Sequence, residues 1–199
     1  MADKYRNFHE LSSDERVGVD FRICIHHRLV RVAIIAPHGG KIEWGTSEIA
    51  AAIAGDAYSL YCFEGMKPQG NRDLHITSTR FDEPKCVILI SACDLVVAVH
   101  GCQGNDQTVY LGGLDKTLRN AICDQLKGIG VTTSIHSDPY LQGVSQDNIC
   151  NRGRRRRGVQ LEISKGLRTA LLQATPTEEA STLSDLAVAV RGAIDELAG

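Results

Sequence analysis

The sequence lacks the features that mark several classes of protein. Its 199 residues carry 22 Lys and Arg against 24 Asp and Glu, so no excess of positive charge attracts the whole chain to nucleic acid or to an anionic membrane. No run approaches the roughly 20 apolar residues that span a bilayer, and the first residues lack the basic-then-apolar plan of a secretory signal. We therefore expect a cytoplasmic protein with no membrane partner.

Cysteine pairs are absent as well. The seven cysteines are spread singly with no CxxC spacing, which excludes a cysteine zinc site and argues against a disulfide framework. What remains is the composition of a soluble globular chain, with 43% hydrophobic and 23% charged residues. The length predicts one domain over residues 1–199.

Apolar runs and helical stripes alternate along the chain. The β-branched run Leu29–Ala36 predicts a strand buried on both faces, and helix start and stop signals follow at Thr46 and Gly55. The same patterns predict strands at 58–63, 94–99, 131–135 and 158–163, and helices at 84–93, 115–127 and 177–197. This order favours an α/β three-layer sandwich with a mostly parallel mixed sheet and helices on both faces.

Candidate metal ligands follow two of the predicted strands. His38 and Glu43 lie five positions apart on a glycine-rich turn after the first buried strand, and His100 ends the strand near 94–99. If these strands are parallel neighbours, the three side chains meet at one edge of the sheet. Each residue alone is commonly structural, but two histidines and one carboxylate form the open ligand set of a catalytic zinc ion.

A hydrolytic zinc site also needs a carboxylate that is not a ligand. Glu162 lies in the apolar strand Val159-Gln160-Leu161-Glu162-Ile163, where a carboxylate requires a functional or ionic reason. It is the best candidate for the group that takes a proton from water and returns it to the leaving group.

Several multi-residue motifs resemble those of the phage and bacillar poly-γ-glutamate hydrolase family. They run in the family's order from about Tyr5 to Arg168: Ala36-Pro37-His38-Gly39-Gly40, Ile42-Glu43 with Gly45-Thr46-Ser47-Glu48, Leu74-His75-Ile76-Thr77-Ser78, Phe81-Asp82-Glu83-Pro84, His100-Gly101-Cys102, Gly112-Gly113-Leu114-Asp115, Asn148-Ile149-Cys150-Asn151-Arg152-Gly153, and Gly158-Val159-Gln160-Leu161-Glu162-Ile163 with Gly166-Leu167-Arg168.

The resemblance implies a small zinc-dependent amidohydrolase with a fold similar to zinc carboxypeptidases. One Zn²⁺ would be held by His38, Glu43 and His100, with Glu162 as general base and acid. The wider carboxypeptidase group has HxxE where this chain has HxxxxE, so the turn that carries the first two ligands must differ from theirs.

Poly-γ-glutamate carries one free carboxylate per unit, so its binding site should contain arginines, whose guanidinium groups bind carboxylates through two hydrogen bonds. The candidates for substrate binding are Arg152, Arg168, Asn151, His75 and Arg119. The basic run Arg154–Arg157 is more commonly a solvated loop, but beside the cleft it could guide a polyanion.

Two other functions compete with hydrolysis of an anionic polymer or glutamyl peptide. The same metal chemistry would serve a zinc deacylase or carboxypeptidase acting on small acylated amino acids. From a different class, Arg154–Arg157 in a phage-related chain allows a nucleic-acid-binding accessory protein. That function leaves the histidines and glutamates unexplained, so no nucleic acid is expected as a partner. A cytoplasmic enzyme would reach an extracellular polymer after release by lysis.

Overall fold

The computed structural model describes residues 3–173 and 181–198 and contains a seven-stranded mixed sheet. Its strand order is β1-β3-β2-β4-β7-β5-β6. The strands are β1 Phe21–His26, β2 Val32–Gly40, β3 Ser59–Gly65, β4 Leu95–Cys102, β5 Thr108–Gly112, β6 Thr132–Ser134 and β7 Val159–Ser164. Only the β1–β3 and β5–β7 pairs are antiparallel, so the predicted mostly parallel sheet is confirmed.

Six helices accompany the sheet in the described residues. They are α1 Phe8–Asp14, α2 Thr46–Ala54, α3 Pro84–Ser91, α4 Lys116–Gly128, α5 Lys165–Gln173 and α6 Leu183–Ala198. Buried side chains of α2, α4 and α6 pack in one apolar core, and those of α1 and α3 pack in another. Neighbouring residues of β2 divide between the two cores, Ile34 entering the first and Ile35 the second. The three-layer α/β sandwich is therefore confirmed.

Helix signals in the sequence correspond to observed caps and buried stripes. The Asp115 side chain caps α4 by accepting a hydrogen bond from Leu118 N–H, and the stripe Leu118, Ile122, Leu126 is buried. In α6, Leu186, Val190 and Ile194 are buried as the amphipathic pattern predicts. The predicted start of this helix, near 177, lies outside the described residues.

The register of three parallel strands determines where the chemistry collects. β2 pairs with β4, where Ile35 lies opposite Ala98, and β4 pairs with β7, where His100 lies opposite Glu162. The carboxyl ends of β2, β4 and β7 therefore share one edge, called the carboxyl edge below. Among the described residues, no helix combines the length and the apolar character needed to cross a membrane.

Candidate metal centre

The two strand-end histidines face each other at the carboxyl edge. The Nδ1 atoms of His38 and His100 lie 3.1 Å apart. The Glu43 carboxylate lies beside both rings, with Oε1 3.2 Å from His38 Nδ1 and Oε2 3.7 Å from His100 Nδ1. Both imidazole rings are buried. The structure thus brings together the three residues that the sequence proposes as metal ligands.

Glu43 reaches the histidines because the turn after β2 folds back on the strand. The Glu43 N–H donates to the His38 carbonyl at 2.9 Å. Gly40 has a φ of 62°, and a Cβ at this position would lie 2.6 Å from the Gly65 carbonyl oxygen, so the turn requires glycine there. At the other end, the Gly101 N–H donates to Glu43 Oε2 at 2.9 Å and holds the carboxylate in place.

Hydrogen bonds behind the rings orient the histidines. The Nε2 atom of His38 lies 2.8 Å from the Ile76 carbonyl, which can only accept, so Nε2 carries the proton and a neutral ring has a lone pair on Nδ1. The Nε2 atom of His100 lies 3.4 Å from Ser78 Oγ. Outer partners of this kind are typical of metal-binding histidines. The Nδ1 atoms, rather than Nε2, are therefore the candidate ligand atoms.

The donor set fits a zinc ion. Ligand atoms about 2.0–2.1 Å from a tetrahedral zinc lie roughly 3.4 Å from one another. Here the two Nδ1 atoms are 3.1 Å apart, and the nearest Glu43 oxygens lie 3.2 Å from His38 Nδ1 (Oε1) and 3.7 Å from His100 Nδ1 (Oε2). Two imidazole nitrogens and a carboxylate oxygen leave a fourth position open, which is the pattern of a catalytic site.

His75 is a competing ligand on the other side of His38. Its ring stacks on the His38 ring at a centroid distance of 4.0 Å, and its Nε2 lies 3.9 Å from Glu43 Oε1. His38, Glu43 and His75 also form a set whose ligand atoms all lie within 4.8 Å of one another. The set with His100 has the Nδ1–Nδ1 separation of 3.1 Å and a slightly shorter distance to the Glu43 carboxylate, 3.7 Å against 3.9 Å for His75, which favours His100 as the ligand. The His75 Nδ1 is held by Asp3 Oδ1 at 2.7 Å, which leaves Nε2 facing the site.

Burial and neighbouring charges shift the pKa values of three residues at the centre, Glu43, His100 and His75. Burial raises the pKa of the Glu43 carboxyl, but the neighbouring His38 and His100 outweigh burial and lower that pKa well below its usual value. Burial lowers the pKa of His100, and burial with the nearby His38 lowers the pKa of His75 to about 3. These shifts of the Glu43, His100 and His75 pKa values favour the unprotonated forms that a divalent ion requires.

Glu162 is a buried carboxyl beside the ligands. Its side chain accepts a hydrogen bond from Gln160 Nε2 at 2.9 Å, and Glu162 is 4% exposed. Burial raises the pKa of Glu162 well above its usual value, and the Glu43 carboxylate raises it further, against the opposing effects of Arg168 and Gln160. A raised carboxyl pKa near a metal centre suits a group that accepts and donates a proton.

Arg168 lies at the centre, but backbone carbonyls occupy its guanidinium. It donates to the carbonyls of Ile163 at 3.1 Å, Trp44 at 2.5 Å and Cys102 at 3.0 Å. The residue is 4% exposed. The sequence suggests that Arg168 binds a substrate carboxylate directly. Its three guanidinium nitrogens already donate to backbone carbonyls, so they are not free to form that pair of hydrogen bonds. The observed function of Arg168 is to tie the Glu43 turn to β4 and β7 and to place a cation near Glu162.

Two other substrate-binding candidates lie where they cannot contact a ligand at this centre. The Asn151 side chain is fully buried, donating to the carbonyls of Gly143 and Ser145 and accepting from the N–H groups of Leu114 and Gly158. All its hydrogen-bonding capacity is used within the loop. Arg119 lies in the first turn of α4, which begins at the end of the sheet opposite the carboxyl edge, as the pair between Asp115 and Arg157 shows.

Arg152 is half-buried, and its guanidinium bonds to a residue that packs against His38. Its Nη2 donates to the Phe81 carbonyl, and the Phe81 ring packs edge-on against the His38 ring at 6.3 Å. Its Nε is buried with no hydrogen-bond partner among the described residues. Of the arginines proposed for substrate binding, Arg152 alone combines partial exposure with proximity to a metal ligand.

The basic run Arg154–Arg157 lies at the opposite end of the sheet. Arg154 pairs with Asp94, which precedes β4, and the whole run precedes the first residue of β7. Glu162 lies four residues beyond Gly158, a separation of roughly 13 Å at about 3.3 Å per strand residue. The run therefore does not border the metal centre. A role in guiding a polymer into the cleft would require it to lie beside the cleft.

Sequence reasoning missed two residues that organise the centre. Asp3 binds the His75 ring, the Thr77 N–H and the Arg80 guanidinium, each at 2.7 Å. No local pattern links residues more than 70 positions apart. Gln160 was detectable, since it precedes Glu162 by two positions and so shares its face of β7.

Comparison with known sequences gives a consistent result. A sequence profile described as poly-gamma-glutamate hydrolase matches residues 5–188. In Bacillus subtilis (strain 168), the SPbeta prophage-derived UPF0714 protein YoqZ is 40% identical over 164 residues, which cover 82% of this chain and 59% of YoqZ. The UPF0714 protein YndL of the same strain is 36% identical over 170 residues, which cover 85% of this chain and 67% of YndL. This chain thus spans about three fifths of YoqZ.

Solved structures match over nearly the full chain. A bacteriophage poly-gamma-glutamate hydrolase superposes with a TM-score of 0.91 and 34% identity, over 98% of each chain. A structure of YndL described as apo and zinc-free superposes with a TM-score of 0.88 and 30% identity, over 98% of this chain and 99% of that one. From its sequence profile and its relatives, this chain belongs to the poly-γ-glutamate hydrolase family.

Proposed function

We propose that this protein is a zinc-dependent hydrolase that cleaves the γ-glutamyl amide bonds of poly-γ-glutamate. One observation carries the proposal: the Nδ1 atoms of His38 and His100 and the Glu43 carboxylate lie together, with nearest separations of 3.1–3.7 Å, beside a buried carboxyl in a member of this family. A relative with a structure described as zinc-free supports zinc as the ion. The ligands would be His38, Glu43 and His100, holding one ion.

A zinc ion held there supplies Lewis acidity, which makes water more acidic and polarises a carbonyl group. Glu162 would take the proton from the attacking water at a carboxylate oxygen and deliver it to the leaving amine nitrogen. Its raised pKa suits both steps, because the carboxyl must gain the proton and then lose it. Arg168 holds the Glu43 turn against β4 through the Trp44 and Cys102 carbonyls.

The polymer's free carboxylates require a cation with room for a ligand. Arg152 is the arginine of choice, since the residue is half-buried rather than buried and its guanidinium bonds to the carbonyl of Phe81, whose ring packs against His38. His75, with its Nε2 facing the centre, would hold substrate by a hydrogen bond.

The decisive experiment is the size distribution of purified poly-γ-glutamate after incubation with the protein, with and without a zinc chelator. We expect rapid shortening of the polymer, abolished by the chelator and restored by added Zn²⁺. An intact polymer in the presence of stoichiometric zinc would contradict the proposal and shift the substrate to small acylated amino acids. Shortening that survives removal of the metal would refute the zinc mechanism.

The basic run gives a second prediction. Arg155 and Arg156 are exposed and form no ion pair or side-chain hydrogen bond within residues 3–173 and 181–198. Their distance from Glu162 exceeds the Debye length of about 8 Å at physiological salt. We expect the double change of Arg155→Ala and Arg156→Ala to alter kcat/KM on the polymer by less than about twofold at 0.15 M salt. A tenfold loss, or salt-dependent binding of DNA or RNA that the change removes, would assign the run to polyanion binding.

A further inference from the structure

Gln160 is a buried amide bound directly to the carboxyl proposed as the proton carrier. It is 2% exposed. Its Nε2 donates to Glu162 Oε1 at 2.9 Å and to the Leu141 carbonyl at 3.0 Å. Because the two side chains are two positions apart on β7, they project from the same face of the strand. Both N–H groups of the amide are thereby used.

The orientation of this amide is fixed by a chain of hydrogen bonds that begins at the backbone. The Cys150 N–H donates to Asn148 Oδ1 at 3.1 Å, so the other side of that amide, Nδ2, is a donor. Asn148 Nδ2 lies 2.8 Å from Gln160 Oε1, which therefore accepts. If the Gln160 amide were flipped, its NH2 group would face the NH2 group of Asn148. Its oxygen would face the Leu141 carbonyl and the Glu162 carboxyl, and with Glu162 ionised none of these pairs could form a hydrogen bond.

The loop around Gln160 is shaped to hold it. Gly143 has a φ of 63°, and a Cβ added there would lie 2.9 Å from the Gln160 Cβ and Oε1 atoms. The backbone of the loop thus approaches the amide closely enough to exclude any larger residue. Packing and hydrogen bonding together leave Gln160 one orientation.

We propose that Gln160 is a positioning residue that occupies Oε1 of Glu162 and so assigns the exchange of the catalytic proton to Oε2. A proton on Oε1 would face an N–H group and lose the hydrogen bond, whereas a proton on Oε2 keeps it. Asn148 acts indirectly: its hydrogen bond to Gln160 Oε1 determines that Nε2 of Gln160 faces Glu162. This inference rests on the proposed function, since it concerns the proton that Glu162 carries.

The test replaces the amide with an apolar side chain of similar length. Gln160→Met should lower kcat on poly-γ-glutamate about 10- to 100-fold, the size of effect that a misplaced catalytic group produces. KM and zinc content should stay at wild-type values, whereas Tm should fall, because Asn148 Nδ2 and the Leu141 carbonyl lose a buried partner. A crystal structure of the zinc-loaded variant should show the Glu162 carboxylate rotated about its Cγ–Cδ bond. The matched control is Gln142→Met, because Gln142 lies on the same loop but donates to His136 and not to Glu162.

A second variant tests the position of the Glu162 carboxyl through Asn148, which does not contact Glu162 itself. Asn148→Asp keeps the acceptor for Cys150 N–H but removes the donor to Gln160 Oε1, so the amide of Gln160 should flip and kcat should fall. In the Gln160→Met background the Asn148→Asp change should cost no further activity, since members of one hydrogen-bond network are not additive.

The outcomes separate this inference from the proposed function. A wild-type protein that leaves the polymer intact would defeat the proposed function before any variant is compared. With an active wild type, a Gln160→Met variant with wild-type kcat would overturn the positioning role. So would a loss of kcat matched by an equal loss of bound zinc, because that pattern marks a purely structural residue.

Discussion

Replacement of Glu162 with glutamine should lower turnover of poly-γ-glutamate by a factor of about 10²–10⁴, the usual contribution of a general acid–base group. Glutamine has the same shape and still accepts the hydrogen bond from Gln160, but it cannot take a proton from water. Zinc content should be unchanged, since Glu162 is not among the three proposed ligands. The measurement is kcat with metal content determined on the same samples.

The same variant should be more stable than the wild type at neutral pH when both are metal-free. The pKa of Glu162 is raised in the folded protein above its usual value of 4.5. Below pH 4.5 the carboxyl is protonated in both the folded and unfolded states. As pH rises through the folded-state pKa, the ionised carboxylate must stay buried, and this destabilises the fold. Glutamine never ionises, so Tm should exceed that of the wild type at pH 7 and approach it at pH 4.

The control for both measurements is Glu48→Gln, which removes an exposed carboxylate on α2. It should change neither kcat nor Tm appreciably. A Glu162→Gln protein that retains turnover within tenfold of the wild type would assign the proton transfer to another group, with His75 the first to test. Equal Tm values at pH 7 would mean that burial of the Glu162 carboxyl does not destabilise the folded protein.

The sequence was sufficient to predict the strands that carry the centre. β2, β4 and β7 are buried on both faces, and such strands appear as continuous apolar runs. β1 and β5 were not predicted. β1 is an antiparallel edge strand with only Phe21 buried, so its pattern is weak. The predicted strand at 29–36 begins at 32 because Leu29 is 99% exposed.

The candidate site was predictable to the extent that it is local. His38 lies near the end of β2 and Glu43 lies on the turn that follows, and the strand-end rule places His100 beside them. The partners of the arginines were not predictable. Arg168 follows β7 closely in sequence, as a substrate-binding residue could, but its guanidinium turns to three carbonyls supplied by distant segments. The sequence can indicate that an arginine lies near the site, but it does not show which hydrogen-bond acceptors the guanidinium contacts.

The identity of the second histidine ligand gives the other large expected effect. His100→Ala should lower zinc affinity by more than the 10–100-fold that loss of an outer-shell partner costs, and activity should disappear with the metal. His75→Ala should keep zinc at full stoichiometry. The two histidines are matched in type and both border Glu43, at 3.7 Å for His100 and 3.9 Å for His75, so the comparison isolates the ligand role. Zinc content after dialysis, with a competition titration for affinity, measures it.

Each result has a distinct structural meaning. If His75→Ala loses zinc and His100→Ala keeps it, the ligand set is His38, Glu43 and His75, and Asp3 becomes the outer partner that orients a ligand. If both variants lose zinc, four protein ligands close the site, and a closed site is typical of structural zinc. The proposed hydrolase needs an open position for water, so it requires that one of the two variants retain the ion; the proposed ligand set requires that this variant be His75→Ala.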